Sequence, residues 1–116
     1  MKNNYQEIAS QTIDYLNIHY QDASVEDLCY ILNCSDYTIS KAVKKTTGKT
    51  YKQHLQEIRL LNCADLLINT TMSVIEVMLS VGYDNTTYFY KIFNNYFGVT
   101  PSIYRKENRK KVMSYC

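Results

Sequence analysis

One segment of the chain carries side chains suited to binding nucleic acid, at intervals of three, one and three residues. The members of this polar row are Tyr37, Ser40, Lys41 and Lys44. Side chains at this spacing share one face of an α-helix. Lysine ammonium groups donate to phosphate oxygens and guanine edges, and hydroxyl groups bond to either type of base edge. The polar row is therefore a candidate surface for reading DNA.

The rest of the segment supplies what a helix needs to present the polar row. Ile39, Ala42 and Val43 fall on the opposite face and form an apolar stripe that can be buried. Ser35 is a favourable N-cap, and Gly48 suits the left-handed position that follows a helix. We predict a helix that starts after Ser35, ends before Gly48 and turns the row to solvent.

This segment is half of a module that occurs twice. Residues 24–50 align with residues 73–100, and the second copy holds one extra residue near its middle, where a turn tolerates an insertion. The residues that bound each first helix are Ser24 and Ser73 as N-caps, and Asn33 and Gly82 as residues that accept positive φ. Each copy is therefore predicted to be a helix-turn-helix unit, which often places its second helix in the DNA major groove.

The second module presents a corresponding face. Asn85 is the predicted N-cap of a helix over residues 86–97, in which Phe89, Ile92 and Phe93 form the buried stripe. The side chains left outside are Thr86, Thr87, Tyr90, Lys91 and Asn94. Helix N-termini also bind anions, so phosphate contacts are expected at Ser35 and Asn85.

A long helix over residues 50–69 is predicted between the modules. At 1.5 Å per residue it spans roughly 30 Å. One DNA helical turn is about 34 Å, the usual distance between two recognition helices on the same side of a duplex. We predict subdomains at residues 1–49 and 71–116, joined by a connecting helix at 50–70.

Helices are also predicted at both ends of the chain. The first covers about residues 4–20, where apolar residues recur at helical spacing. The last opens with Thr100 as N-cap and Pro101 as the first helical residue, and it is expected to run through Arg105. The lysine-rich end that begins there is expected to fray.

The composition indicates an all-α protein. Of 116 residues, one is proline, three are glycine and 46% are hydrophobic, and no long stretch alternates as a strand does. No apolar run resembles a secretory signal or a membrane span, so we expect a cytoplasmic, nucleoid-associated protein with no membrane partner. No nucleophile and base at catalytic spacing, no glycine-rich phosphate loop and no paired carboxylates on one helical face are visible, which argues against an enzyme.

Positive charge is concentrated in two stretches, although the formal net charge of the chain is only +2. Residues 35–52 carry five lysines against one aspartate, and residues 105–116 also have a net charge of +4. Residues 1–34, by contrast, have a net charge of −4. The first recognition helix thus lies in a basic part of the chain, as phosphate binding requires. The alternative is that its lysines are only a solvated face.

The cysteines and histidines predict no metal site and no cofactor. Their positions are Cys29, Cys34, Cys63, Cys116, His19 and His54, with no Cys-x-x-Cys pair. Cys29 and Cys63 lie on apolar helical faces and are predicted to be core residues, whereas Cys34 is expected in a turn. Reduced thiols are expected.

Residues 81–105, VGYDNTTYFYKIFNNYFGVTPSIYR, resemble the signature of the AraC/XylS family of bacterial transcription regulators. The match extends over nearly the whole chain and includes TTGKT after the first module and RLLNCADLLINT in the connecting helix. The resemblance implies seven helices and two homeodomain-like helix-turn-helix units in tandem. It also implies that the second helix of each unit enters one of two adjacent major grooves, and that transcription is commonly activated through contact with RNA polymerase.

The resemblance assigns roles to individual positions as well. The implied base-reading residues are Tyr37, Ser40, Lys41, Thr86, Thr87, Tyr88 and Lys91, and Tyr88 depends on the resemblance alone. The implied phosphate contacts are Lys44, Lys45 and Tyr90. Cys29 and Met78 stand where the family commonly has a small alanine, so looser or shifted helix packing is expected there. Lys91 is the only charge on the second recognition helix, which predicts weaker sequence reading by that module.

Two functions fit these features. The first is a sequence-specific regulator of a promoter, acting alone or as the output domain of a longer chain with an N-terminal sensor or receiver domain. The second is a helical interaction module that binds RNA polymerase or another regulator with little DNA specificity. No dimerisation region is visible, so monomeric binding to an asymmetric site is expected.

Overall fold

Seven α-helices and no strand form the regular structure of residues 4–114, the range over which this computed structural model describes the backbone; side chains are described for residues 4–109. The helices are α1 (Tyr5–His19), α2 (Val25–Leu32), α3 (Asp36–Thr47), α4 (Tyr51–Asn69), α5 (Val74–Ser80), α6 (Thr86–Phe97) and α7 (Pro101–Ser114). The predicted all-α class and tandem helix-turn-helix architecture are confirmed. None of these seven helices has both the length and the apolar character to cross a membrane.

The chain divides into two compact units, Met1–Ile58 and Arg59–Cys116, and the boundary falls inside α4. The first unit contains α1, α2, α3 and the beginning of α4, and the second contains the remainder of α4 with α5, α6 and α7. The finer division inferred from the sequence, into residues 1–49, 50–70 and 71–116, stays a prediction.

In the first unit, α1 and α2 cover the inner face of α3. The buried apolar cluster consists of Ile8, Ala9, Leu28, Ile39, Ala42 and Val43. Thr12 is fully buried beside it, and its hydroxyl donates a hydrogen bond of 2.8 Å to the carbonyl of Ile8. The apolar stripe predicted for α3 is thus the part of the helix that anchors it.

The turn between α2 and α3 begins with Asn33 in the left-handed conformation, at φ 53° and ψ 45°. The N–H of Asn33 donates to the carbonyl of Tyr30 at 3.4 Å, and the N–H of Cys34 donates to the carbonyl of Cys29 at 3.1 Å. This pair of hydrogen bonds is a Schellman motif, which ends a helix and satisfies its last carbonyl groups. The left-handed position predicted at Asn33 is confirmed.

The turn between α5 and α6 is built in the same way, with Gly82 at φ 110°. The N–H groups of Gly82 and Tyr83 donate to the carbonyls of Leu79 and Met78, at 3.1 and 3.0 Å. Residues that have a Cβ atom rarely adopt this φ, which explains why the second copy has glycine at this position. α5 ends at Ser80, one residue earlier than predicted.

The core of the second unit combines aliphatic side chains from α4 and α5 with aromatic rings from α6. Its buried members include Leu60, Cys63, Leu67, Val77, Met78, Val81, Phe89 and Phe93. Phe93 lies 4.5 Å from Phe97 and 5.7 Å from Tyr104, measured between ring centroids, so α7 packs on the same rings. Cys63 is fully buried, as predicted for a core residue, and burial raises the pKa of its thiol to about 12.

α7 is longer than the sequence indicated. It continues to Ser114, although we expected it to end near Arg105. The reason lies outside the helix: Arg105 Nε donates to the carbonyl of Leu67 at 2.8 Å, and Arg109 Nε donates to the carbonyl of Ile68 at 3.2 Å. Because these arginines are one turn apart, both bond to the end of α4 only if α7 stays helical. Cys116 lies outside the described residues.

Candidate nucleic-acid interface

The start of α3 and its buried face determine which side chains the first module presents. Ser35 Oγ accepts a hydrogen bond of 3.1 Å from the N–H of Thr38, which is the predicted N-cap. Ile39 and Val43 are fully buried, so α3 cannot rotate about its axis without exposing them. The exposed side chains of α3 include Tyr37, Ser40, Lys41, Lys44 and Lys45. The polar row thus lies on the solvent side.

Lys41 and Tyr37 form a pair within the polar row, one helical turn apart. Lys41 Nζ donates to the hydroxyl of Tyr37 at 2.9 Å and lies 5.2 Å from the ring centroid. This hydrogen bond, and then the ammonium charge, lower the pKa of the Tyr37 phenol, and the same hydrogen bond raises the pKa of Lys41. Lys41 is therefore charged at neutral pH, and its ammonium group has further N–H groups to donate.

Lys44 lies at the end of α3. Its Nζ donates to the carbonyl of Gly48 at 2.9 Å, and Gly48 has the left-handed φ of 82° that ends the helix. A lysine at a helix C-terminus interacts favourably with the helix dipole. Lys44 therefore stabilises α3 as well as adding positive charge beside the polar row.

A groove of about 510 Å³ runs between the polar row and the start of α4. Its lining residues are Tyr37, Ser40, Lys41, Lys44, Thr50, Tyr51 and Lys52. Three lysine side chains thus border one concave surface, which creates a positive potential. The groove adds Thr50 and Lys52 to the candidate site, and neither was among the residues singled out from the sequence.

A short sequence pattern marks the start of α4, where Thr50 and Lys52 lie. Thr50 and Gln53 form a capping box: the N–H of Gln53 donates to Thr50 Oγ1 at 3.1 Å, and the N–H of Thr50 donates to Gln53 Oε1 at 2.8 Å. The Thr-x-x-Gln spacing predicts a helix N-terminus at this position. The short distance between this helix N-terminus and the polar row results from tertiary packing, which the spacing of Thr50 and Gln53 does not predict.

The second module presents α6 in the same way. Asn85 Oδ1 accepts a hydrogen bond of 2.9 Å from the N–H of Tyr88, and Phe89 and Phe93 are fully buried on the inner face. The exposed side chains of α6 include Thr86, Thr87, Lys91 and Asn94, all of which were predicted to face outward. The predicted N-cap and the bounds of this helix are confirmed.

The two tyrosines at the start of α6 differ in how much they project. Tyr88 is 40% exposed, and its ring packs edge-on against Tyr83 at 6.2 Å between centroids. Tyr90 is half-buried, and its ring meets Phe89 at 5.7 Å with an interplanar angle of 87°. Tyr90, which was predicted to lie outside, is therefore partly a packing residue.

The N-termini of α3 and α6 both present backbone N–H groups close to an acidic residue. The side-chain oxygens of Ser35 and Asn85 accept N–H groups of their own helices, so a phosphate would meet backbone N–H groups in the first turn. In α3 that turn contains Asp36, whereas the first turn of α6 contains no acidic residue. Asp84, however, directly precedes Asn85, so an exposed acidic residue lies beside each of the two helix N-termini.

Comparisons with known proteins agree with this geometry. A family model described as a helix-turn-helix domain matches residues 28–107. The Msm operon regulatory protein of Streptococcus mutans is 36% identical over 110 residues, covering 88% of this chain and 40% of that protein. The HTH-type transcriptional activator RhaR of Mannheimia succiniciproducens is 33% identical over 91 residues, covering 78% of this chain and 33% of RhaR.

A solved structure extends the likeness to three dimensions. The C-terminal domain of AraT, a response regulator from Geobacillus stearothermophilus, superposes with a TM-score of 0.81 at 29% sequence identity. The superposition covers 90% of this chain and 88% of that domain. The chain spans 40% of the length of the Msm regulator and 33% of the length of RhaR.

Proposed function

The chain belongs to the AraC family of DNA-binding transcription regulators, and we propose that it regulates a promoter by inserting α3 and α6 into two adjacent major grooves. The observation that carries this proposal is the polar row of α3. Buried residues anchor the row on one side, and the groove with the start of α4 borders it on the other. The outer face of α6 likewise carries exposed hydroxyl groups and Lys91.

In the first module, Lys41 is proposed to donate to guanine O6 or N7, because its ammonium group is exposed and charged. Ser40 bonds to either type of base, and Tyr37 reaches a thymine methyl group or a base edge beside Lys41. Lys44, Lys45 and Lys52 bind backbone phosphates around this contact. Affinity should therefore fall with salt, with a slope of about −0.9 for each phosphate neutralised.

In the second module, Thr86, Thr87 and Tyr88 are proposed to read bases, together with Lys91. Tyr90 and the N–H groups that follow Asn85 contact phosphate. This module has one lysine on its outer face, so it is expected to add less affinity and less specificity than the first.

Activation is the proposed direction of regulation, by analogy with RhaR, which is named a transcriptional activator. RNA polymerase is the proposed protein partner. Because the chain spans two fifths or less of these relatives, a longer parent protein with an N-terminal sensor or receiver domain is also proposed. Such a regulator would act in the cytoplasm, at the nucleoid, and no enzymatic activity is proposed for it.

Selection of bound duplexes from a random oligonucleotide pool tests DNA reading directly. Two short, unlike motifs whose centres lie one helical turn apart are the expected result, because two different recognition helices read them. Enrichment of a single short motif would indicate that only one module recognises a DNA sequence. A gel shift on selected and random duplexes at two salt concentrations then separates a specific reader from an interaction module. Equal affinity for the two duplexes at both salt concentrations would contradict the proposal.

A further inference from the structure

The turn between α2 and α3 brings two cysteine residues together. The N–H of Cys34 donates to the carbonyl of Cys29 at 3.1 Å, which closes the Schellman motif. Adding the covalent bonds on either side of this hydrogen bond limits the distance between the two Cα atoms to about 7 Å. Disulfides bridge Cα atoms that are about 4.4 to 6.8 Å apart. The backbone of the turn is therefore already close to the span of a disulfide.

The side chains of Cys29 and Cys34 also share their surroundings. In a Schellman motif these two positions commonly place their side chains in contact. Both side chains are half-buried and pack against the same core cluster of the first unit, and both thiols are reduced in the structure. Cys34 Sγ lies 3.4 Å from the carbonyl oxygen of Leu32, so it is at the turn and not inside the core.

The second module provides a natural comparison. Its turn has the same hydrogen-bond pattern, closed by Tyr83 and Met78 in place of the two cysteines. Cysteine at these two positions is therefore not needed for this type of turn. The thiol pair in the first module adds a chemical property that the architecture itself does not require.

We propose that Cys29 and Cys34 form a reversible disulfide within this turn, by exchange with a low-molecular-weight disulfide such as oxidised glutathione. This thiol modification site goes beyond the proposed DNA-binding function. The Cys34 thiolate attacks one sulfur of the small disulfide, forms a mixed disulfide and releases one small thiol. The Cys29 thiolate then attacks the Cys34 sulfur and releases the second small thiol. The protein loses two protons and two electrons, and the small disulfide gains them.

The order of attack follows from the environment of each thiol. Burial, followed by the charges of Asp36 and Glu26, raises the pKa of the Cys29 thiol. Cys29 is therefore the slower thiol towards a reagent in solution, and we assign the first attack to Cys34. Once Cys34 carries the mixed disulfide, Cys29 reacts within the molecule, where proximity compensates for its low thiolate fraction.

Mass mapping of the full chain after equilibration in glutathione redox buffers tests the proposal. Cys116 is replaced by serine, and Cys63 serves as an internal reference because it is fully buried. Lysine and arginine are absent between Asn3 and Ser40, so trypsin releases Cys29 and Cys34 in one peptide, residues 3–41. After quenching with N-ethylmaleimide, that peptide should lose two hydrogen atoms and carry no maleimide. Persistent glutathione adducts or two maleimide groups at every redox ratio would overturn the proposal.

Three comparisons make the test specific to the fold. The single variants Cys29→Ser and Cys34→Ser should each stop at the glutathione adduct or the free thiol. The wild-type peptide should form its internal disulfide at a lower ratio of oxidised to reduced glutathione in the folded chain than in guanidinium chloride, by roughly tenfold or more, because a disulfide that fits a fold stabilises it. Equal equilibrium constants in the folded and unfolded chain would show that sequence proximity alone drives the reaction, and the proposed site would be wrong.

Discussion

At the scale of the residue, the main feature is that neighbouring lysines of the polar row have different bonds. Lys41 is held by the phenol of Tyr37 on the outer face of α3, whereas Lys44 bonds to the carbonyl of Gly48 at the end of that helix. Both are surface lysines in the basic part of the chain, and the sequence separates their roles only by resemblance. The hydrogen bonds supply a physical basis for separating them.

Replacing Lys41 by alanine should lower affinity for a selected site by roughly 5- to 150-fold, because one good base contact provides about 1 to 3 kcal/mol of discrimination. The loss on random DNA should be much smaller. Titration of both duplexes by fluorescence anisotropy measures the two values. Equal losses on both would remove Lys41 from the set of base readers.

Lys44→Ala is the matched control on the same helix. It should weaken binding to both duplexes by a similar factor and reduce the salt slope by about 0.9, as the loss of one phosphate contact does. A preferential loss on the selected site would instead place Lys44 among the base readers. Its bond to Gly48 also predicts a small loss of stability, which thermal unfolding would detect.

His54 couples the end of α3 to α4 in a way that depends on pH. Its Nε2 lies 2.7 Å from Thr47 Oγ1, and burial, with a smaller effect from the charge of Lys49, lowers the pKa of the imidazole, while Glu57 opposes them. The unfolded state therefore binds a proton more readily than the folded state. Stability from neutral His54 is present above the unfolded pKa and is lost as pH falls towards the lower folded value.

Chemical unfolding of the wild type and of His54→Gln, measured between about pH 7 and pH 5, tests this coupling. The wild type should lose stability faster than the variant as the pH is lowered through this window. Glutamine keeps an amide that can bond to Thr47 but has no proton to gain. Parallel pH profiles would assign the acid dependence to carboxylates instead.

At the scale of the element, the ends of the helices were predicted closely wherever a cap determines them. Ser24, Ser35 and Asn85 cap the helices that were expected to start after them, because capping involves hydrogen bonds within a few residues of sequence. α7 is the exception, since its length depends on bonds to α4 that are distant in sequence. The groove beside Thr50 was missed for a related reason, since it forms only where the start of α4 lies beside α3.

Arg105 is the residue that best reveals how α7 is held. It donates to the carbonyls of Leu67, in the last turns of α4, and of Met72, in the connection to α5, and Arg105→Ala should remove both hydrogen bonds. A charged hydrogen bond contributes about 1.5 to 3 kcal/mol, so we expect the free energy of unfolding to fall by roughly 3 kcal/mol. Urea titration followed by circular dichroism provides the measurement.

Lys106→Ala is the control for that variant, because Lys106 is exposed on the same helix. Its effect on stability should be within about 0.5 kcal/mol, the usual range for a surface substitution. If the two variants had equal effects, loss of helix charge rather than loss of the bonds to α4 would explain the result.

At the scale of the whole molecule, the sequence predicted the tandem modules because an internal repeat is visible without coordinates. It predicted the family because residues 81–105 resemble the family signature. It also placed the exposed faces of α3 and α6. The contribution of each candidate residue to binding stays a prediction, since side-chain exposure allows contact with DNA but does not establish it. The spacing between the two motifs in the DNA site can be varied to test whether both modules bind the same duplex at once.

Inserting five base pairs between the two selected motifs should reduce affinity to that of the stronger motif alone. Five base pairs are about half a helical turn, so the second groove would face the opposite side of the duplex. A gel shift with the original and lengthened duplexes measures the change. Unaltered affinity would mean that the second motif contributes nothing to binding, or that α4 does not hold the modules in a fixed relation.

α4 has a consequence for how such a protein can be divided or recombined. Its first residue, Tyr51, packs against the core of the first unit, and Leu60, Cys63 and Leu67 are buried in the second. Each unit thus contains part of α4 in its own packing, although the sequences of the two modules repeat. Cleavage or recombination within α4 would remove packing from at least one unit. We therefore expect recombination between related genes to keep the two helix-turn-helix units together.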